Sequence, residues 1–179
     1  MKRRIYVICI VLIIPLMAFP QRHMRFMGIP IDGKAELFCQ QLERKGFLKD
    51  KEDVTNGFCY VGKFYGEDAC IQVDYTHDTH MVYSVTVYII KSDALSLIPI
   101  QRNYLQAVEE KYNYKKEVID PQSFTFDYYI FDELNPIGLI QTFIVDSKII
   151  PSLREAMLSI TYTDIDNYLN YENRKREDI

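Results

Sequence analysis

The spacing of apolar residues indicates a helix first and then changes to the two-residue period of strands. Within residues 28–47 the apolar side chains share one helical face, with charged and amide side chains on the other. Asp32 or Gly33 can cap the start of this helix, and Gly46 is a typical stop. Alternating apolar and polar residues then predict strands over 58–64, 69–75 and 82–90.

The second half of the chain shows the same order of elements. A helix is predicted to begin at Ser92 or Ser96, with Pro99 in its first turn. Residues 115–122 are polar and are interpreted as a connection. Strands are predicted over 124–131, 137–145 and 156–163, and residues 167–179 are interpreted as a polar tail that frays.

These elements predict an α+β fold in which a unit of one helix and three strands occurs twice. The simplest arrangement is a mostly antiparallel six-stranded sheet with two helices packed on one face. Residues 26–166 would form a single domain, because this length supports one hydrophobic core.

The first twenty residues differ from the rest of the chain. Lys2, Arg3 and Arg4 precede an apolar run that ends near Ala18. A basic start, about 15 apolar residues and a small residue at the boundary are typical of a secretory signal peptide. We therefore expect residues 1–20 to be a signal and the protein to be periplasmic or secreted. An uncleaved membrane anchor is the alternative, and it would be the chain's membrane contact.

Charge argues against a nucleic-acid partner. Removal of residues 1–20 takes away three basic and no acidic residues, so the formal net charge changes from −4 to −7. Phosphate binding requires clustered Lys and Arg. The basic residues that remain are scattered, apart from residues 174–176, which acidic neighbours flank. Three cysteines remain: Cys39, Cys59 and Cys70. A bridge between Cys59 and Cys70 is conceivable, but the turn near residue 66 would not place them opposite each other, so small half-buried side chains are favoured.

Residues 74–80, DYTHDTH, are the one segment with the composition of a metal or catalytic site. His77, His80 and Asp78 carry groups that can bind zinc. The same sequence is also typical of a solvated hairpin tip, in which Asp and Thr bond to the local backbone. Since strands flank the segment, the tip is the favoured interpretation, and the three residues remain a weak metal hypothesis.

Two other motifs resemble known sites only in part. Residues 57–64 have the Gly-x4-Gly-Lys spacing of a phosphate loop, but Phe64 stands where Ser or Thr would hold magnesium. Residues 164–167 resemble the start of a calcium loop, yet position six is Leu169 and position twelve is Lys175. The phosphate-loop match is interpreted as accidental. Residues 164–167 are interpreted as a polar cap that ends the last strand, with an irregular calcium site as the alternative.

Several phrases are similar to an uncharacterised family of small exported proteins from gut Bacteroides-type bacteria. They include GIPIDG at residues 28–33, KGF at 45–47 and ITYTDIDN at 160–167. The resemblance implies export and a shared fold, and it carries no catalytic residue to this chain.

The function expected from the sequence is therefore that of an exported, non-enzymatic envelope or periplasmic protein. It would recognise a protein, peptide or glycan through its sheet surface. The alternative is a metal-dependent or carboxylate hydrolase centred on residues 74–80.

Overall fold

The chain is mostly β in the computed structural model, which describes residues 23–50, 57–121, 124–146 and 155–177. The predicted signal sequence, residues 1–20, lies outside the described residues. Within them the elements are β1 (Arg25–Phe26), β2 (Ile29–Pro30), α1 (Ala35–Arg44), β3 (Leu48–Lys49), β4 (Gly57–Phe64), β5 (Glu67–Tyr75), β6 (Val82–Lys91), α2 (Ala94–Lys111), β7 (Asn113–Asp120), β8 (Thr125–Asp132), β9 (Asn135–Val145), β10 (Ala156–Asp164) and α3 (Ile165–Glu177).

Eight strands form one antiparallel sheet in the order β3-β4-β5-β6-β10-β9-β8-β7. The remaining two, β1 and β2, form a short N-terminal hairpin. The first half of the chain supplies α1 and four neighbouring strands, and the second half supplies α2 and the other four. The halves meet where β6 pairs with β10, so the sheet is continuous across the molecule.

The predicted α+β fold with six strands and two helices is wrong, because the structure is mostly β with an eight-stranded sheet, a two-stranded sheet and three helices. The longest strand that was not predicted is β7, which contains most of the residues interpreted as a connection. This strand lies at the edge of the sheet and is largely exposed. Its charged sequence therefore lacks the apolar alternation that identifies an inner strand.

One face of the sheet, here called the helix face, carries the hydrophobic core. Alternate residues of the central strands, such as Val85, Val87, Leu158 and Ile160, are fully buried there. They belong to one cluster with the buried residues of α1 and α2. Because side chains alternate along a strand, the intervening residues form the opposite face, here called the open face.

The two predicted helices exist, but their first turns differ from the prediction. Lys34, rather than Asp32 or Gly33, precedes α1 and makes no side-chain cap. The Ala35 amide instead donates to the His80 carbonyl at 2.8 Å. In α2 the Asp93 carboxylate caps the Ser96 amide at 2.9 Å, which places Pro99 inside the helix and not in its first turn.

The segment interpreted as a fraying tail forms α3 over Ile165–Glu177. The Asn167 side-chain amide donates to the carbonyls of Ile31 at 2.8 Å and Val82 at 3.1 Å. The Tyr171 ring stacks on Tyr83 with centroids 4.6 Å apart. These contacts hold α3 against the end of the sheet where β10 finishes.

Candidate functional site

Residues 74–80 comprise the end of β5 and most of the short turn, residues 76–81, that links it to β6 and is organised by Thr76. Its hydroxyl accepts a hydrogen bond from the Met81 amide at 2.9 Å, and its carbonyl accepts one from the His80 amide at 2.8 Å. A threonine that bonds to nearby backbone in this way is typical of a turn. The segment is thus the tip between two paired strands.

The three proposed metal ligands point to different partners. His80 Nδ1 lies 2.8 Å from Glu36 Oε1, and this hydrogen bond lowers the pKa of Glu36. The Asp78 carboxylate pairs with Arg174 of α3, whereas His77 is exposed. Across the described part of the chain, no three His, Cys, Asp or Glu side chains are grouped to hold a metal. Zinc at His77, His80 and Asp78 stays a prediction, as does calcium at residues 164–167.

Asp74, at the start of the segment 74–80, places its carboxylate on the open face. Gln72 Nε2 donates to its Oδ1 at 2.7 Å. Burial raises the pKa of Asp74. Burial, together with the Asp74 charge, also raises the pKa of Tyr83 and Tyr88. A partly buried acid with an amide and two phenols nearby can bind a hydrogen-bond donor, but it holds no activated nucleophile.

Cys59 and Cys70 are diagonal neighbours on the open face and remain free thiols. As expected, they are not opposite each other: Cys59 pairs with Gln72, and Cys70 pairs with Val61. Burial and the neighbouring Cys70 raise the pKa of Cys59 to about 11. Both thiols are therefore protonated at neutral pH, which makes them poor nucleophiles.

The end of the open face away from α3 is apolar. Register places Ile90, Met157 and Val145 side by side on three neighbouring strands. Tyr88 and Phe143 flank Ser159 in the next row. We call these five apolar side chains, together with Val61, the apolar patch. Ile90 is 52% exposed and Val61 is 40% exposed, so the patch is an accessible surface and not a second core.

A row of polar side chains crosses the sheet beside the apolar patch. In register they are Gln72, Thr86, Thr161, Gln141 and Asp127. Thr86 and Thr161 hydroxyls lie 3.1 Å apart, and Gln141 Nε2 donates to both oxygens of Asp127 at 3.1 and 3.2 Å. These lateral bonds fix the side chains, so the polar row presents hydrogen-bonding groups in a defined geometry.

A pair that sequence reasoning missed joins the N-terminal segment to β10. His23 Nδ1 lies 3.0 Å from Asp164 Oδ2, although His23 precedes residues 26–166, the predicted domain. Asp164 is 1% exposed. The sequence does indicate that Asp164 is buried. Asp164 continues the alternation of Leu158, Ile160 and Tyr162 and therefore falls on the helix face.

No family model matches this sequence, and neither a curated protein nor a solved structure resembles it significantly. Among the residues that the structure describes, none of the helices combines the length and apolar character needed to span a membrane.

Proposed function

We propose that the protein is a non-enzymatic binding protein that recognises a protein partner through the open face of its sheet. The observation that carries this proposal is the apolar patch beside the polar row. An apolar centre bordered by hydrogen-bonding side chains is the usual composition of a protein interface, in which aromatic residues and Met are enriched. Tyr88, Phe143 and Met157 are residues of this kind.

The position of the patch supports the same function. α1 and α2 bury their apolar residues on the helix face, and α3 contacts the end of the sheet that carries Tyr83. The patch lies at the other end of the same strands, where burial of Ile90 by a partner would remove apolar surface from water. A peptide or a glycan would use fewer of these apolar side chains, so we favour a protein.

Export is the second part of the proposal and rests on residues 1–20 alone. A basic start followed by an apolar run is typical of a secretory signal peptide. N-terminal sequencing of the mature protein tests this part. A new N-terminus close to residue 20 would support export, and an intact Met1 in the cytoplasmic fraction would overturn it.

Site-specific photo-crosslinking tests the recognition surface. A photoreactive phenylalanine analogue would replace Ile90 in the patch, and Leu95 would serve as the control because it is 78% exposed on α2. We expect a discrete crosslinked protein from position 90, reduced by excess unlabelled protein, and none from position 95. Equal crosslinking from both positions, or crosslinks to glycan alone, would overturn the proposal.

A further inference from the structure

Two cavities meet beside the C-terminal end of α2, on the opposite side of the molecule from the apolar patch. The larger has a volume of about 360 Å³ and lies between the N-terminal hairpin, α2 and the residues that flank the β8–β9 turn. The smaller has a volume of about 70 Å³. Arg25, Lys111 and Tyr112 line both of them, so the two cavities are adjacent, and together they are called the cleft.

A buried hydroxyl without a hydrogen bond lines the smaller cavity. Tyr104 is 1% exposed, and its Oη has no hydrogen-bond partner among the described residues. Burial and the nearby Tyr162 hydroxyl raise the pKa of Tyr104, but the two hydroxyls do not have the geometry of a hydrogen bond. An unpaired buried hydroxyl costs about 1–3 kcal/mol. A ligand acceptor at this position would remove that cost.

The charges around the smaller cavity favour an anion. Its lining includes Arg25 and Lys111 and, among the described residues, no carboxylate. Arg25 donates to the Gly28 carbonyl at 3.2 Å, which engages one of the five N–H donors of a guanidinium. Lys111 stands in the last turn of α2, where its charge offsets the partial negative charge of the helix end.

The larger cavity limits how much charge a ligand can carry. Asp32 and Asp132 line it, so a polyanion that filled the cleft would meet repulsion there. Tyr112, Phe131 and Ile137 give the same cavity apolar walls. Such a lining fits an uncharged, apolar body with a single negative group at one end.

We propose that this cleft binds a small monocarboxylate. The carboxylate lies in the smaller cavity and pairs with Arg25 and Lys111, while the apolar body occupies the larger cavity. Tyr104 Oη is enclosed without ligand, so it donates a hydrogen bond to the carboxylate once the lining has moved slightly. A guanidinium can donate two parallel N–H···O bonds to the two oxygens of a planar carboxylate, which a spherical ion cannot accept in the same way. The cavity of about 70 Å³ also exceeds the roughly 10–15 Å³ that a single water needs. This site is independent of the open face and of the proposed protein partner.

Calorimetric titration of the full chain with benzoate, benzamide and inorganic phosphate tests the site. Benzamide matches benzoate in shape without the charge, and phosphate tests for a general oxyanion site. We expect benzoate to bind and the other two to bind at least about tenfold more weakly. The absence of heat on titration with benzoate would mean that benzoate does not bind in the cleft. That result, or equal binding of benzamide or phosphate, would overturn the proposal.

Three variants locate the binding. Tyr104→Phe removes only the hydroxyl, and we expect benzoate affinity to fall about tenfold. Lys111→Gln should reduce it about three- to tenfold, whereas Arg102→Gln removes the same charge from an exposed position on α2 and should change it less than about twofold. Because Lys111 is exposed, Lys111→Gln should fold, and it keeps the test valid if Tyr104→Phe does not fold. Unchanged affinity in Lys111→Gln, or equal losses in the two charge variants, would place benzoate elsewhere.

Discussion

Asp164 Oδ2 lies 3.0 Å from His23 Nδ1 and accepts a hydrogen bond from the Met24 amide at 2.9 Å. The other oxygen, Oδ1, accepts the Asn167 amide at 3.0 Å in the first turn of α3. One carboxylate thus ties the N-terminal segment, the last strand and the last helix together. Burial raises its pKa, but three donors compensate for part of the cost of burying it.

Substitution Asp164→Ala should destabilise the protein by about 2–4 kcal/mol, because it leaves buried donors unpaired and removes the cap of α3. Urea denaturation measures the free energy of unfolding. Asp93→Ala is the matched control, since Asp93 caps α2 from an exposed position, and it should destabilise the protein clearly less than Asp164→Ala does. Equal losses in the two variants would show that Asp164 is an ordinary helix cap.

Asp74 should make stability fall as the pH rises through its titration range. Its pKa is raised in the folded state, so the folded protein binds more protons than the unfolded chain between the two pKa values. Asp74→Asn stays neutral and should melt at a higher temperature than the wild type at pH 7. At pH 3, where Asp74 is protonated in both states, the two melting temperatures should agree.

The control for this pH effect is Asp93→Asn, which should change the melting temperature at pH 7 in the opposite direction. Hydrogen bonds from Ser96 lower the pKa of Asp93, so its charge stabilises the folded state above its titration range and that contribution is lost at low pH. Asp93→Asn should therefore melt below the wild type at pH 7. If Asp74→Asn also melted below the wild type at pH 7, burial would not be the dominant influence on the stability contributed by Asp74.

Gly62→Ala should destabilise the sheet by about 1–3 kcal/mol through overpacking. A Cβ at Gly62 would lie 2.4 Å from Cδ1 of Phe47, and that ring is 2% exposed and has little room to move. Gly33→Ala is the control, because a Cβ there meets nothing within 4 Å. Thermal melts compare the two, and a loss in Gly33→Ala equal to that in Gly62→Ala would contradict the steric explanation.

Tyr104→Phe and Tyr128→Phe should change the free energy of unfolding by different amounts or in different directions, although both remove a hydroxyl oxygen. The Tyr128 hydroxyl donates to Glu109 at 2.6 Å, and its loss should cost about 1–2 kcal/mol. The Tyr104 hydroxyl has no partner among the described residues, so its removal should be neutral or stabilising in ligand-free protein. A cost at Tyr104 that matches the cost at Tyr128 would indicate a hydrogen bond to Tyr104 in solution.

The inner strands and the first two helices could be predicted from the sequence, because their apolar residues repeat with the period of the element. β4, β5, β6 and β9 carry this pattern and were found close to their expected bounds. β7 and α3 do not carry it. β7 is an exposed edge, and α3 packs through Tyr168 and Tyr171 on Tyr83, so tertiary contacts stabilise two segments that look polar in isolation.

The candidate surfaces were harder to predict for a related reason. Residues 74–80 stand out because their titratable side chains are adjacent in sequence. The residues of the apolar patch lie on β4, β6, β9 and β10, and only strand order and register bring them together. The Tyr104 cleft likewise combines the N-terminal hairpin with the end of α2. Single-sequence patterns contain no information on such pairings.

The affinity of the purified crosslinked partner for Met157→Asp most directly tests whether the open face is the recognition surface. A charge placed in the centre of the apolar patch should weaken binding about 30-fold or more, as expected for a residue central to an interface. Leu134→Asp is the control, since Leu134 is 91% exposed in the β8–β9 turn, and it should bind like the wild type. Wild-type affinity for Met157→Asp would contradict the proposed surface.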